Sequence, residues 1–264
     1  MNHLLRTIYS WLVTFGIDPH KTIRSFRGLP GYFRDLQTLK GQKASSVSEF
    51  PFGKAFPCLE DRFTESGSAK GHYFHQDLLV ARRIHFSNPN THVDVGSRVD
   101  GFVAHVASFR PIDVIDIRPL SSSIPNITFI QADMMTPIND NLVNYCDSLS
   151  CLHALEHFGL GRYGDPVNYD GYVFGLNNLY RILKKGGKLY FSIPIGPQRI
   201  EFNAHRVFSV RYLLECFYGK YHIDQFSFVD DYGDLHENIP ITDISVKDNY
   251  GCRYGCGILE MTKL

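Results

Sequence analysis

After Gly71, short β-branched runs alternate with helical patterns, and that alternation admits very few architectures. "YFHQDLLVARRIHF" (73–86) has helical spacing and is closed by the turn cluster "SNPN". Val93 and Val95 predict a short strand ending at Gly96, and "GFVAHVASF" predicts the helix after it. "IDVIDIRP", "ITFIQAD" and "YCDSLSCL" read as the second, third and fourth strands. Residues 170 to 185 predict a helix with Tyr172, Leu176, Leu179 and Leu183 on one stripe, stopped by "KKGG" before a fifth strand, "KLYFSIP". The expected fold is therefore α/β, a doubly wound, mostly parallel sheet covered on both faces. "SVRYLLECF" gives a last helix capped by Ser209, and "YHIDQFSFVDD" and "CGILEMTK" predict an antiparallel pair of strands with no helix between them.

The first 70 residues have a different texture. Leu4, Ile8, Trp11, Leu12 and Phe15 share one helical face, with Arg6, Lys21, Arg24 and Arg27 as basic neighbours. That pattern fits a helix packed on the domain or one lying on a membrane surface. No run reaches the roughly 18 apolar residues of a membrane span, and no small-residue cleavage site follows. From residue 22 to about 70, "GLPGYF", "FPFGKAFP" and "ESGSAKG" supply loop punctuation, so an irregular extension with short helices is expected. The division is residues 1–70 as extension and 71–264 as main domain.

Lysine plus arginine (27) equals aspartate plus glutamate (27), so no global field draws the chain to nucleic acid. The six cysteines, at 58, 146, 151, 216, 252 and 256, are too dispersed for a disulfide framework. Cys252 and Cys256 lack a second pair at zinc-finger spacing, so they read as structural thiols, no metal set is assigned, and a cytoplasmic setting is expected.

In a sheet of this kind ligands bind beyond the carboxyl ends of the strands. The first strand delivers Asp94, Gly96, Ser97 and Arg98 there, with Gly101 closing the loop; the second delivers Asp116 and the third Asp133. Glycine lets backbone approach a ligand, and a following helix N-terminus favours an anionic group. Asp116, twenty residues after Gly96, is spaced to accept both hydroxyls of a ribose, and Asp133 suits an exocyclic amine. Taken singly, each is equally a structural turn.

Together "DVGSRVDG", "DVIDIRP", "IQADMM", "LSCLHALEH" and "LYRILKKGGKLYFSIP" resemble the class I S-adenosylmethionine-dependent methyltransferases over residues 72–264. The resemblance implies a seven-stranded sheet whose last strand lies antiparallel between the fifth and sixth. By it Asp94, Gly96, Ser97 and Gly101 border the methionine part of S-adenosylmethionine, Asp116 the ribose and Asp133 the adenine. Arg98 and Asp100 depart from the family's glycines; Arg98 either clamps the cofactor's carboxylate or fills its space. "YFHQDLLVARRI", "FNAHRVFS" and "YGCGILEMTK" further resemble a methyltransferase-like branch met near bacterial surface-polysaccharide biosynthesis genes. That branch implies a glycan or lipid-linked saccharide acceptor, at the inner face of the membrane. A non-catalytic binding protein and, behind it, a nicotinamide-dependent oxidoreductase are the rival readings; "GSRVDG" keeps only the outer glycines of the dinucleotide fingerprint.

"HALEH" (153–157) matches the H-x-x-E-H of a zinc protease, but it follows a strand directly and runs into "FGLGRYGDP", which forms no long helix. His153, His157 and His205 are the candidate bases toward a hydroxyl acceptor. Glu156, Arg206, Tyr163 and Tyr169 are candidate contacts to a sugar or phosphate.

Overall fold

The computed structural model describes residues 3–47 and 50–264, which divide into two compact units, Met1–Ser68 and Ala69–Leu264. The side chains of Leu4 and Arg6 lie outside the described residues.

Among its described residues the first unit holds two α-helices, α1 (His3–Thr14) and α2 (Pro19–Lys43), and a 3-10 turn, Asp61–Phe63. The Asp18 carboxylate caps α2, accepting from the amides of His20 at 2.9 Å and Lys21 at 3.1 Å, with Pro19 in the first turn where its missing N–H costs nothing. The expectation of short helices from residue 22 onward is corrected here, because α2 runs for 25 residues straight through Gly28, Pro30 and Gly31. Its glycine serves packing rather than a turn: a Cβ on Gly28 would collide with the Leu59 carbonyl. Trp11 on α1 and Phe15 just after it are 61% and 74% exposed.

The second unit runs α3 (His72–Ser87), β1 (His92–Val95), α4 (Ala104–Ala107), β2 (Ile112–Asp116), β3 (Ile127–Gln131), β4 (Cys146–Leu152), α5 (Gly171–Ile182) and β5 (Leu183–Ile195). It continues with β6 (Arg199–Glu201), β7 (His205–Val207), α6 (Val210–Phe217), β8 (Tyr221–Val229), β9 (Leu235–His236), α7 (Asp243–Lys247) and β10 (Gly255–Lys263). The main sheet has the order β3-β2-β1-β4-β5-β10-β8-β9, and β6 and β7 form a separate hairpin. Strands β1 to β5 are mutually parallel, and β10 is antiparallel to both β5 and β8.

Period-two alternation along the strands divides the core between two faces. On one, Leu149, Phe191 and Ile193 meet Leu179 and Ile182 of α5 and Leu213 and Phe217 of α6. On the other, Val114, Leu152 and Tyr190 meet Leu79, Val80 and Ile84 of α3 and Val106 of α4. The fold is the expected doubly wound α/β arrangement with an antiparallel strand inserted between the fifth and sixth.

Four details differ from the sequence reading. The two-residue strand β9 makes the sheet eight-stranded, and α7 is a helix between β8 and β10. "KKGG" bulges out within β5, so that Leu183 pairs with Cys146 and Lys188 with Ser148. The helix expected from residue 101 is a π-type turn, Val99–Val103, leading into a four-residue α4. An extended helix N-terminus aimed at an anion is therefore absent from the loop after β1.

Candidate functional site

Strand order reverses between β1 and β4, so the residues after these two strands face the crevice where such sheets bind ligands. Gly96 follows β1 with φ +75, and a Cβ there would stand 2.7 Å from that of Ala154, which follows β4. Both facts demand glycine.

Beneath this loop runs a buried polar chain. Parallel pairing puts His92 beside Ser148 and Asp94 beside Ser150. His92 bonds Ser148 Oγ at 2.8 Å and Ser150 Oγ at 3.2 Å; Ser150 Oγ also donates to Asp94. Asp94 then accepts from Ser97 Oγ at 2.8 Å and from the Ser97 amide at 3.0 Å. Burial pushes the Asp94 carboxyl up to about 6 and the His92 imidazole down to about 3. Asp94 is fully buried and shapes the loop from below, lining neither hollow described next.

Two adjoining hollows open at the strand ends. A narrow slot of about 50 Å³ has walls from Gly96, Ile115, Asp116, Asp133, Met134 and Phe158. A larger one of about 520 Å³ takes in Gln76, Ser97, Arg98, Asp116, His153 and Tyr163. Volumes of a few hundred Å³ suit small-molecule sites. Asp116, Arg118 and Tyr163 border both hollows. The Asp133 carboxylate accepts from the Met135 amide at 2.8 Å at the slot's edge.

Arg98 lines the larger hollow and stays out of the slot. It is paired with Asp100, which lines the same hollow, Nη2 to Oδ2 at 2.8 Å and Nε to Oδ1 at 3.1 Å, with more than half its side chain exposed. Gly101 lies outside both hollows, and a Cβ there would meet the Asp77 carboxylate at 3.0 Å.

The three candidate histidines part company. His153 walls the larger hollow; its φ of +51 is the left-handed region, which a non-glycine residue occupies only when its surroundings hold it there. Its Nδ1 is 2.6 Å from Glu156 Oε1, and its Nε2 is 3.1 Å from His72 Nδ1. Burial opposes its charged form, but Cys256 and Glu156 outweigh that and hold its pKa well above the ordinary value. His157 lines the slot, its Nδ1 held by the Ala204 carbonyl at 2.6 Å, and burial lowers its pKa. His205, on β7, stacks on Tyr254 at 4.9 Å and lines neither hollow.

Glu156 and Arg206 are corrected from sugar contacts to internal roles. Glu156 is fully buried against His153, and Arg206 is committed to backbone carbonyls, among them Phe158 at 2.6 Å and Tyr169 at 2.9 Å. Tyr163 faces the hollows with Arg118 over its ring, whereas Tyr169 is 74% exposed. Sequence reasoning missed His72, Gln76 and Arg118. The first two stand on α3, far in sequence from β4, and no local motif marks them.

The sheet order and the crevice define a Rossmann-like α/β fold. The chain is similar to the [4+2]-cyclase SpnF, at 16% identity over 72% of this chain and 80% of that one, with a TM-score of 0.51. It is also similar to the N-methyltransferase NodS of Bradyrhizobium japonicum, solved with S-adenosylhomocysteine: 10% identity, 73% and 88% coverage, TM-score 0.46. A third is the 1,6-didemethyltoxoflavin N1-methyltransferase of Burkholderia thailandensis: 14% identity, 71% and 78% coverage, TM-score 0.48. Residues 121–245, a little under half of the chain, match a family described as Caenorhabditis protein of unknown function, DUF268. No curated protein matches.

Proposed function

We propose that this chain is a methyltransferase that uses S-adenosylmethionine and acts on a hydroxyl acceptor. The observation that carries this reading is the convergence of the Gly96 turn, Asp116 and Asp133, from the ends of three neighbouring strands, on one pair of joined hollows. The residues present suit the cofactor: the slot is largely apolar, Gly96 leaves no Cβ in its way, and Arg98 lies outside the slot, paired with Asp100. Asp116 would hold the ribose, Asp133 the adenine amine, and Ser97 and the Gly96 backbone the methionine end, with Arg98, on the wall of the larger hollow beside Ser97, as the partner of its carboxylate. When bound, the cofactor supplies a methyl group on a sulfonium, which passes to an acceptor oxygen as the carbon–sulfur pair returns to sulfur and the hydroxyl proton leaves to solvent or a base.

The chain's own contribution is mostly orientation, which is able to supply roughly 7–11 kcal/mol, against roughly 10²–10⁴-fold from a general base. Of the three histidines, His153 stands on the acceptor side, because it alone walls the larger hollow among them, and with both ring nitrogens engaged by Glu156 and His72 it orients rather than takes a proton. His157 supports the slot, and His205 stands behind Tyr254.

The acceptor we propose is a glycan or lipid-linked saccharide. It is supported by the resemblance to the surface-polysaccharide branch and by the exposed Trp11 of α1 and Phe15 just after it, suited to a membrane surface. Among the described residues no helix is long and apolar enough to cross a membrane. Calorimetry with S-adenosylmethionine, S-adenosylhomocysteine and NAD tests the reading. Binding of both sulfur ligands and not NAD is expected; a folded protein that binds neither is a non-catalytic relative, and NAD binding alone makes it an oxidoreductase.

A further inference from the structure

We propose that His72, His153 and Cys256 form a zinc site in the wall of the larger hollow. The three come from different elements: the first turn of α3, the residue after β4, and the start of β10. Their ligand atoms all lie within 4.8 Å of one another, with His72 Nδ1 and His153 Nε2 at 3.1 Å. Ligands bound tetrahedrally at zinc's 2.0–2.3 Å stand roughly 3.3–3.7 Å apart, so small side-chain shifts close the set. Cys256 is fully buried and His153 nearly so, which shields the ion from competing water.

The outer partners are those a metal-bound imidazole needs. His153 turns its far nitrogen to the Glu156 carboxylate, and the His72 ring bonds the backbone of Tyr254. Such partners fix which nitrogen faces the ion and raise its basicity. Glu156 is completely buried, and among the described residues its Oε2 has no hydrogen-bond partner. The left-handed backbone of His153 is the local strain that aims its ring at the cluster.

Two imidazoles and a thiolate select zinc over magnesium or calcium. Three protein ligands leave a fourth position open, as in zinc sites that hold a water or substrate. Of the three ligands His153 lines the larger hollow, and so does Gln76, whose Oε1 is 3.7 Å from Cys256 Sγ, so the cluster lies beside the space assigned above to the acceptor. Loading displaces the thiol proton and any proton on His153 to solvent. Only the placement beside an acceptor rests on the methyltransfer reading; the ion's binding does not.

The test is a cobalt titration of the full chain after treatment with a chelator, followed by zinc displacement. Expected are saturable uptake of a single ion, tetrahedral visible bands, and a thiolate-to-cobalt charge-transfer band in the near ultraviolet that zinc abolishes. C256S should lose the charge-transfer band, C252S should keep it, and E156Q should weaken zinc about 10–100-fold. Wild-type protein, folded by circular dichroism, that takes up no cobalt saturably overturns the proposal, as does a band that survives C256S. The wild-type titration decides even where a variant fails to fold. Zinc uptake without S-adenosylhomocysteine binding leaves this site standing and removes the methyltransfer reading.

Discussion

The guanidinium of Arg118 grips the Asp116 carboxylate at two points, Nη2 to Oδ2 at 2.6 Å and Nε to Oδ1 at 3.0 Å, and lies 4.4 Å over the Tyr163 ring. The pair sits between slot and larger hollow, so the ribose proposed for Asp116 must take the carboxylate from a cation already there. Asp116→Ala is expected to weaken S-adenosylhomocysteine at least about tenfold, because hydrogen bonds to a charged group contribute roughly 1.5–3 kcal/mol. Arg118→Ala should tighten it by removing the competitor. Calorimetry on both variants checks the two signs, and unchanged affinity in Asp116→Ala refutes the ribose assignment.

Gly96→Ala places a Cβ 2.7 Å from that of Ala154 on a backbone with φ +75. The left-handed conformation alone costs an alanine roughly 1–2 kcal/mol. Thermal unfolding should shift down accordingly, with loss of cofactor affinity exceeding the loss of stability.

Stability toward acid should report the buried chain under the loop. His92 is neutral when folded, its pKa near 3 against an ordinary 6.5, so the unfolded chain binds more protons between those values. Stability from this group falls as pH drops through that window, by up to about 1.4 kcal/mol per pH unit. His72, lowered to about 4 chiefly by burial, acts in the same sense. Asp94, raised to about 6 from 3.8, acts oppositely: its contribution is full below 3.8 and lost as pH rises through 6. Denaturant unfolding of His92→Asn between about pH 6.5 and 4 should therefore show a slope flatter by one proton.

Arg206→Met leaves the carbonyls of Phe158 and Tyr169 without their donor. A loss of about 1–3 kcal/mol is expected. Amide exchange should quicken across residues 158–169 while the β1–β5 amides stay protected.

The strands were legible because β-branched and aromatic runs recur between turn clusters, as in "THVDVG" and "IDVIDIRP". The glycine turn and the two carboxylates could be placed at strand ends for the same reason. The length of α2 was hidden because Gly28 and Pro30 signal a loop locally, whereas close passage by Leu59 is what the glycine serves. Arg206 looked like a ligand contact because sequence shows a charge and not its burial. His72 and Cys256 were beyond reach for a different reason: they are 184 positions apart, and only α3 lying near β10 unites them with His153.

The placement of β10 has a consequence for biosynthesis. The latest strand in chain order occupies the middle of the sheet, between β5 and β8. While it is still inside the ribosome, β5 presents a bare edge and β8 has no neighbour joining it to the parallel strands. The nascent chain must therefore be kept from pairing with foreign strands until β10 has emerged. Cys256 arrives with that strand, so the His–His–Cys cluster is completed last, and a ribosome stalled before β10 releases a protein lacking both its sheet centre and that thiol.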